Sequence, residues 1–289
     1  PNTQDPFLNP LIAFVLGVVQ GLTEFLPVSS TAHLTLAGKL FNVIDPNHPE
    51  AWTEFIAVMQ LGTVTAVILY FRKDLWEMVR AVIHDLRARR GTPGGGFTEP
   101  SRMALYIVIG TLPVALVGLS LKKIIEGSLT KSTLVIAISM IALALLLWIA
   151  EKVARHVRGI SQVTWVDALV IGFAQVCALI PGSSRSGTTI TAGLFLGLTR
   201  ESAARFSFLL SIPAVVASGL YELSKIHGAF ELGFGNLLIS TVVSGFVGYA
   251  AIAWLLRFLM RNTAMSFVWY RLVLGLLLFT LLANGLMQP

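Results

Sequence analysis

The chain is poor in charge, in cysteine and in acid. Only 12% of its residues are charged, about half the share of an average soluble domain. By contrast 55% are hydrophobic, and the mean hydropathy is +0.77. That balance excludes an ordinary soluble globule. Cys177 is the lone cysteine, so no internal disulfide can form and no redox compartment is legible. No basic segment precedes the first apolar stretch, so a cleavable signal peptide is not expected. No polar linker separates two independently packed halves, so residues 1–289 are expected to form a single polytopic membrane domain. The net charge of +6 sits mostly between apolar runs. It reads as loop charge facing anionic lipid, and nucleic acid is not an expected partner.

What is present is a series of long apolar runs. Full spans are expected at 52–71, 103–121, 132–150, 203–224, 236–257 and 267–286. Each can cross about 30 Å of hydrocarbon. Two further apolar stretches, 8–26 and 166–180, are broken by Pro27 and Pro181, and short helices are expected after them at 29–41 and about 184–199. Residues 72–102 are expected to form the longest polar loop. The fold class is thus an all-α integral membrane protein, with six transmembrane helices plus two re-entrant helical hairpins.

The broken stretches resemble each other. Gly17, Gln20, Pro27, Ser29 and Ser30 match Gly172, Gln175, Pro181, Ser183 and Ser184, with one residue deleted between Gln and Pro. Phe55, Leu61 and Tyr70 match Phe206, Ile212 and Tyr221 at an offset of 151. Repeat one covers about 8–121 and repeat two about 166–257. Three spans lie between equivalent points, an odd number, so the repeats are expected to be inverted in the membrane. Loop charge orients them. Twelve Lys/Arg (Arg72, Lys73, Arg80, Arg87, Arg89, Arg90, Arg102, Lys152, Arg155, Arg158, Arg257, Arg261) fall on one side. Five (Lys39, Lys122, Lys123, Lys131, Lys225) fall on the other. The basic side is expected to be cytoplasmic.

The polar residues in the broken stretches carry the chemistry. Gln20 and Glu24 are four apart and share a helix face. Their oxygens suit a hard divalent cation, Mg²⁺ or Ca²⁺; alternatively, Glu24 is half of a buried ion pair. Ser29 fits a helix cap. Ser30 and His33 lie on one helical turn, which allows a hydroxyl nucleophile beside a general base. Arg185 has no acidic neighbour in sequence: Asp167 is eighteen residues earlier and Glu201 sixteen later. Set among Ser183, Ser184, Ser186 and Thr189 at a helix start, its fork fits phosphate oxygens. Pairing with Glu24 across the repeats is the alternative.

Gln20-x-x-x-Glu24 followed by Pro27-Val-Ser-Ser-Thr-x-His33, together with Pro181-Gly-x-Ser-Arg-Ser-x-x-Thr189, resembles the two signatures of the bacterial undecaprenyl pyrophosphate phosphatase family, also called bacitracin resistance proteins. The resemblance implies a membrane enzyme that removes the terminal phosphate of undecaprenyl pyrophosphate and so regenerates the lipid carrier of peptidoglycan synthesis. It implies catalytic roles for Ser30, His33, Arg185 and Glu24. Ser29, Thr31, Ser184, Ser186 and Thr189 would bind phosphate, and Glu24 and Gln20 would hold the divalent cation. The chain departs from the family at Gln20, where many members carry Glu, leaving one ligand charge fewer. The expected partners are the prenyl substrate and membrane lipid, with a homodimer as the oligomer considered. The expected location is the bacterial inner membrane, with the site facing the periplasm or exterior.

Inverted repeats with broken helices are also transporter architecture, so a carrier or flippase of a polyprenyl phosphate is the alternative function. The other membrane lipid phosphatases expect Ser-Arg-x5-His. Thr191 stands where that histidine would be, and that class is excluded.

Overall fold

The computed structural model describes residues 8–44, 49–89, 97–121, 132–223 and 233–285. Among these are eleven α-helices, and the only strand pairing is an isolated bridge between Arg158 and Leu198. In chain order they are α1 (Pro10–Phe25), α2 (Ser30–Leu40), α3 (Pro49–Tyr70), α4 (Arg72–Arg89), α5 (Glu99–Ser120), α6 (Thr133–Val153), α7 (Trp165–Val176), α8 (Arg185–Phe195), α9 (Arg200–Leu223), α10 (Phe234–Arg261) and α11 (Met265–Ala283). Six of them, α3, α5, α6, α9, α10 and α11, are long and apolar enough to cross a membrane. At 1.5 Å per residue, a 22-residue helix such as α5 spans about 33 Å. The chain is a multi-pass membrane protein.

Polar contacts at the helix ends show which ends share a face. Arg200 at the start of α9 pairs with Glu151 at the end of α6 (2.7 Å), and Glu151 also accepts from the Ala264 amide beside α11 (2.8 Å). Asp74, just past the end of α3, pairs with Arg205 of α9 (3.0 Å). Asp85 accepts from Thr98, the cap of α5 (2.8 Å). Arg158 pairs with Asp167 in the first turn of α7 (2.5 Å) and donates to Leu196 O at the end of α8 (2.8 Å). The α7–α8 pair therefore starts and ends on this basic face. The α1–α2 pair starts and ends on the other: Leu8 O accepts from Asn236 near the start of α10, and Lys39 donates to Thr133 at the start of α6 (2.8 Å). The two helical hairpins thus open at opposite faces.

Two expectations need correction. First, residues 72–102 are not simply a loop, because 72–89 form helix α4. Its polar composition hides an inward stripe, half-buried Leu75 with buried Met78 and Asp85, that packs on the protein. Second, the repeat contains no deletion between the glutamine and the serine cap. Ser29 (φ 76°) caps α2 and Ser184 (φ 66°) caps α8, and both capped helices have 11 residues. The offset between these caps is 155, the same as between Gln20 and Gln175. Ser29 thus corresponds to Ser184, and Ser30 to Arg185. Pro27 and Pro181 are one position out of register; the serine caps, not the prolines, are the equivalent points. Lys122, Lys123, Lys131, Lys225, Arg90 and the 91–96 stretch lie outside the described residues.

The first helix of each hairpin packs on the last span of the other repeat, α1 against α10 and α7 against α5. Repeat-equivalent glycines permit both approaches. A Cβ on Gly17 would stand 2.6 Å from Ser240 O, and one on Gly172 would collide with Gly110 O. The repeats are therefore interlocked. Spans α6 and α11 pack together, outside both repeats.

Candidate active site

The two hairpin tips meet at Glu24, in the last turn of α1. Its carboxylate is buried, at 8% exposure. Oε1 accepts from Arg185 Nη2 at 2.6 Å. Oε2 accepts from Gln20 Nε2 at 3.0 Å and from Ser30 Oγ at 2.8 Å. Ser30 and Arg185 are each the first residue of a short hairpin helix, and they occupy equivalent places in the two repeats. One carboxylate thus holds the starts of both half-helices. Helix starts carry unpaired N–H groups and partial positive charge, so two of them together suit an anion.

Hydroxyls stitch the tips together. Ser184 Oγ accepts from Gly187 N (3.1 Å) and lies 3.2 Å from Ser186 Oγ. Ser186 Oγ donates to Leu26 O of the other hairpin (3.1 Å). Thr189 Oγ1 donates to Arg185 O (2.8 Å) and lies 2.6 Å from Ser207 Oγ of α9. Ser29 accepts from Ala32 N (3.4 Å), the cap role read from the sequence. Thr31 is exposed on the first turn of α2. Of the residues expected at the site, Gln20, Glu24, Ser30, Arg185 and Ser186 converge, whereas Ser29, Ser184 and Thr189 act on their own helix or a neighbour.

Ser30 and His33 are not hydrogen-bonded to each other. The Ser30 hydroxyl goes to Glu24. His33 Nδ1 lies 2.7 Å from Ser29 O, and Nε2 lies 2.6 Å from the Tyr270 hydroxyl. A carbonyl only accepts, so Nδ1 carries the proton. In the neutral ring Nε2 then accepts from Tyr270. The two rings also stack, with centroids 5.5 Å apart.

Tyr270 and its neighbour Arg271 were not legible as site residues. Both sit on α11, outside the repeats. Arg271 is 1% exposed. Its guanidinium donates to Pro27 O (3.3 Å), Gly182 O (3.1 Å), Ser183 O (3.1 Å) and Met140 O (3.3 Å). Pro27 and Gly182 are equivalent at the 155 offset, so one side chain ties the same point of both hairpins. Among the described residues its partners are carbonyls only. With Arg185 it outweighs Glu24, and the site is net positive. Of the eight buried side-chain polar atoms without a partner among the described residues, three belong to these motifs: Arg185 Nη1, Ser183 Oγ and Gln20 Oε1. The first two can donate. No group of three or more His, Cys, Asp or Glu is gathered anywhere among the described residues.

The family model for "Bacitracin resistance protein BacA" matches residues 13–277. Among curated relatives, an undecaprenyl-diphosphatase of Syntrophobacter fumaroxidans is 53% identical, over 93% of this chain and 95% of that protein. The undecaprenyl-diphosphatase of Myxococcus xanthus is 50% identical, over 98% and 92%. That of Chlorobaculum parvum is 44% identical, over 98% and 100%.

Proposed function

The chain belongs to the BacA family of bacitracin resistance proteins, and from that premise we propose how its site works. The enzyme is an undecaprenyl-diphosphatase. It hydrolyses undecaprenyl pyrophosphate to undecaprenyl phosphate and inorganic phosphate, recycling the lipid carrier of cell-wall synthesis. The carrier or flippase reading is not favoured.

The observation that carries the mechanism is the meeting of Ser30 and Arg185 on Glu24. Phosphoryl transfer is largely a matter of positioning and charge neutralisation. In our reading, Arg185 clamps the terminal phosphoryl group through Nη1, with Ser183, Ser184, Ser186 and the N–H groups opening α2 and α8. Arg271 places a second fixed cation behind them. Ser30 already directs its hydroxyl proton at Glu24. It attacks phosphorus as Glu24 takes that proton, and the bond to the prenyl phosphate breaks. Water then cleaves the phosphoserine. The Tyr270 hydroxyl turns away and His33 Nε2 takes the water's proton. Glu24 returns its proton to the Ser30 oxygen as the P–O bond to Ser30 breaks, and inorganic phosphate leaves. This moves the partner of Ser30 from His33 to Glu24.

A divalent cation fits this donor set. Gln20 Oε1 is a buried acceptor without a donor, and Glu24 Oε2 meets only uncharged groups. Glu24 and Gln20 would hold the ion. With one carboxylate it would draw most of its ligands from phosphate and water, as Mg²⁺ does. It would neutralise pyrophosphate charge. As placed, Gln20 turns its nitrogen to Glu24, so joint ligation requires the amide to reverse.

We also propose that the basic face is cytoplasmic in the inner membrane. The α1–α2 hairpin then opens to the periplasm or exterior.

Phosphate release from prenyl diphosphates in detergent, with chelator and Mg²⁺ or Ca²⁺ add-back, tests this reading. Glu24→Gln should abolish turnover and also Mn²⁺ binding seen by electron paramagnetic resonance. Gln20→Glu should keep both. Ser30→Ala should be as damaging as loss of Arg185; substantial residual turnover would instead mean direct attack by water. Near-normal turnover of Glu24→Gln under chelation would sink the metal assignment.

A further inference from the structure

Helix α4 has three faces. Leu75, Met78 and Asp85 point into the protein. Trp76, Val79, Ile83 and Leu86 form a second apolar stripe that is about half exposed. At 100° per residue these four fall within an arc of about 80°, roughly a third of a turn from the buried face. The remaining arc carries Lys73, Glu77, Arg80, His84 and Arg87, all exposed. The other two acids of the helix are spoken for. Asp74 pairs with Arg205, and Asp85 accepts from Thr98. Only Glu77 opposes the basic edge.

The helix also lies where three media meet. Its first turn is tied to the start of α9 through Asp74, and its fourth to the cap of α5 through Asp85. Those two points are about 16 Å apart along the helix, and both α5 and α9 begin at the basic face. The helix therefore runs along that face rather than across the membrane. Arg80 lies over the Trp76 ring, 5.1 Å from its centroid, at the seam between the apolar and basic arcs. A shallow groove of about 410 Å³ there is lined by Arg80, Ile83, His84, Arg87 and Ala88.

We infer that α4 is an interfacial anchor: its outer apolar stripe sits at the headgroup–acyl boundary, and Arg80 and Arg87 hold the phosphate of anionic phospholipid. An aromatic and aliphatic stripe beside a basic edge is the pattern by which helices lie in a bilayer surface. Arginine stems reach along apolar surface while the guanidinium stays with the headgroups. The charge sign selects anionic lipid over zwitterionic.

The test uses the full chain in a Cys177→Ser background, reconstituted in phosphatidylcholine nanodiscs with or without phosphatidylglycerol. Spin labels are placed singly at positions 83 and 73. The label at 83 should meet oxygen in the lipid but be shielded from an aqueous nickel reagent, and the label at 73 should behave oppositely. Native mass spectrometry should count retained phosphatidylglycerol. Arg80→Gln with Arg87→Gln should weaken that retention by about thirtyfold, the effect of two surface charges. Both sites are exposed and remote from Glu24, so hydrolysis of a short prenyl diphosphate in detergent should be unchanged and report an intact fold. Three results would overturn the inference. One is equal nickel access at both labels. A second is shielding of position 83 from both reagents, meaning that a protein partner or a second copy covers the stripe. The third is retention of phosphatidylglycerol unaffected by the double substitution.

Discussion

Removing the Arg185 side chain should separate what the Glu24–Arg185 pair does for stability from what it does for turnover. Arg185→Ala leaves the Glu24 carboxylate, buried in the native chain, with only the neutral donors Gln20 and Ser30. Breaking a buried ion pair from one side costs about 3–5 kcal/mol. The two surviving hydrogen bonds place the loss at the lower end, about 3 kcal/mol. For a chain of this size that corresponds to roughly 6–12 °C in apparent melting temperature. Adding Glu24→Gln removes the stranded charge while keeping an acceptor for Ser30. The double variant should therefore recover at least half of the lost stability. Turnover should not recover, because the phosphoryl clamp is gone; about a hundredfold to a thousandfold loss is expected in both variants. Arg185→Lys should also be poorly active, since an ammonium cannot bridge Glu24 and phosphate as a fork does. The measurements are melting in detergent by size exclusion after heating, and phosphate release from undecaprenyl pyrophosphate. If the double variant is no more stable than Arg185→Ala, the pair is not coupled as described. If Arg185→Ala turns over at wild-type rate, the site is misplaced.

Tyr270→Phe keeps the ring stack on His33 but removes the donor to Nε2; the nitrogen-15 spectrum of His33 should lose its single Nδ1–H tautomer and kcat should fall about twofold to tenfold, with KM unchanged. An unaltered His33 spectrum would show that Tyr270 does not set the tautomer. Gly172→Ala should prevent α7 from seating on α5 and abolish a monodisperse fold, whereas Gly118→Ala, with nothing within 4 Å of the added methyl, should be tolerated; equal behaviour of the two would refute the packing argument. Asp85 is held well below the usual carboxylate range by the Ser101 and Thr98 hydroxyls and the Thr98 amide. A lowered folded-state pKa stabilises above the unfolded value of 3.8 and is lost as pH falls below it. Hydrogen exchange at the Thr98 amide should therefore be protected at neutral pH and lose protection only in acid, and Asp85→Ala should abolish that protection at every pH.

The six spans were legible because a membrane helix writes its length directly into an apolar run. The hairpins were legible because Pro27 and Pro181 interrupt such runs. Glu24 and Arg185 stood out because an ion in an apolar setting needs a partner, and each is the other's. Helix α4 was missed because its charge masks two apolar stripes that appear only at helical spacing. The repeat was misaligned because prolines are conspicuous, whereas a left-handed serine cap leaves no mark in composition. Ser30 and His33 are three apart, but spacing gives a shared helix side and not the direction of a hydroxyl. Tyr270 and Arg271 lie 237 residues from His33 and 244 from Pro27, on a span with no repeat partner. Only the tertiary fold brings them in. The one hint was an arginine, Arg271, inside an apolar run, which warrants the same suspicion as Arg185.

The exchange of packing between the repeats bears on how the protein is made. The helix that α1 packs on, α10, is synthesised about two hundred residues after it. At ordinary translation speeds that interval is roughly 10–40 s. Until Arg185 and then α10 arrive, Gln20 and Glu24 have neither ion partner nor cover, and a carboxylate facing lipid costs several kcal/mol. The nascent chain must therefore be held by the insertion machinery, or keep its first hairpin near the aqueous surface, until the last third is in place. A chain terminated before Arg185 would present an unpaired acid to the bilayer.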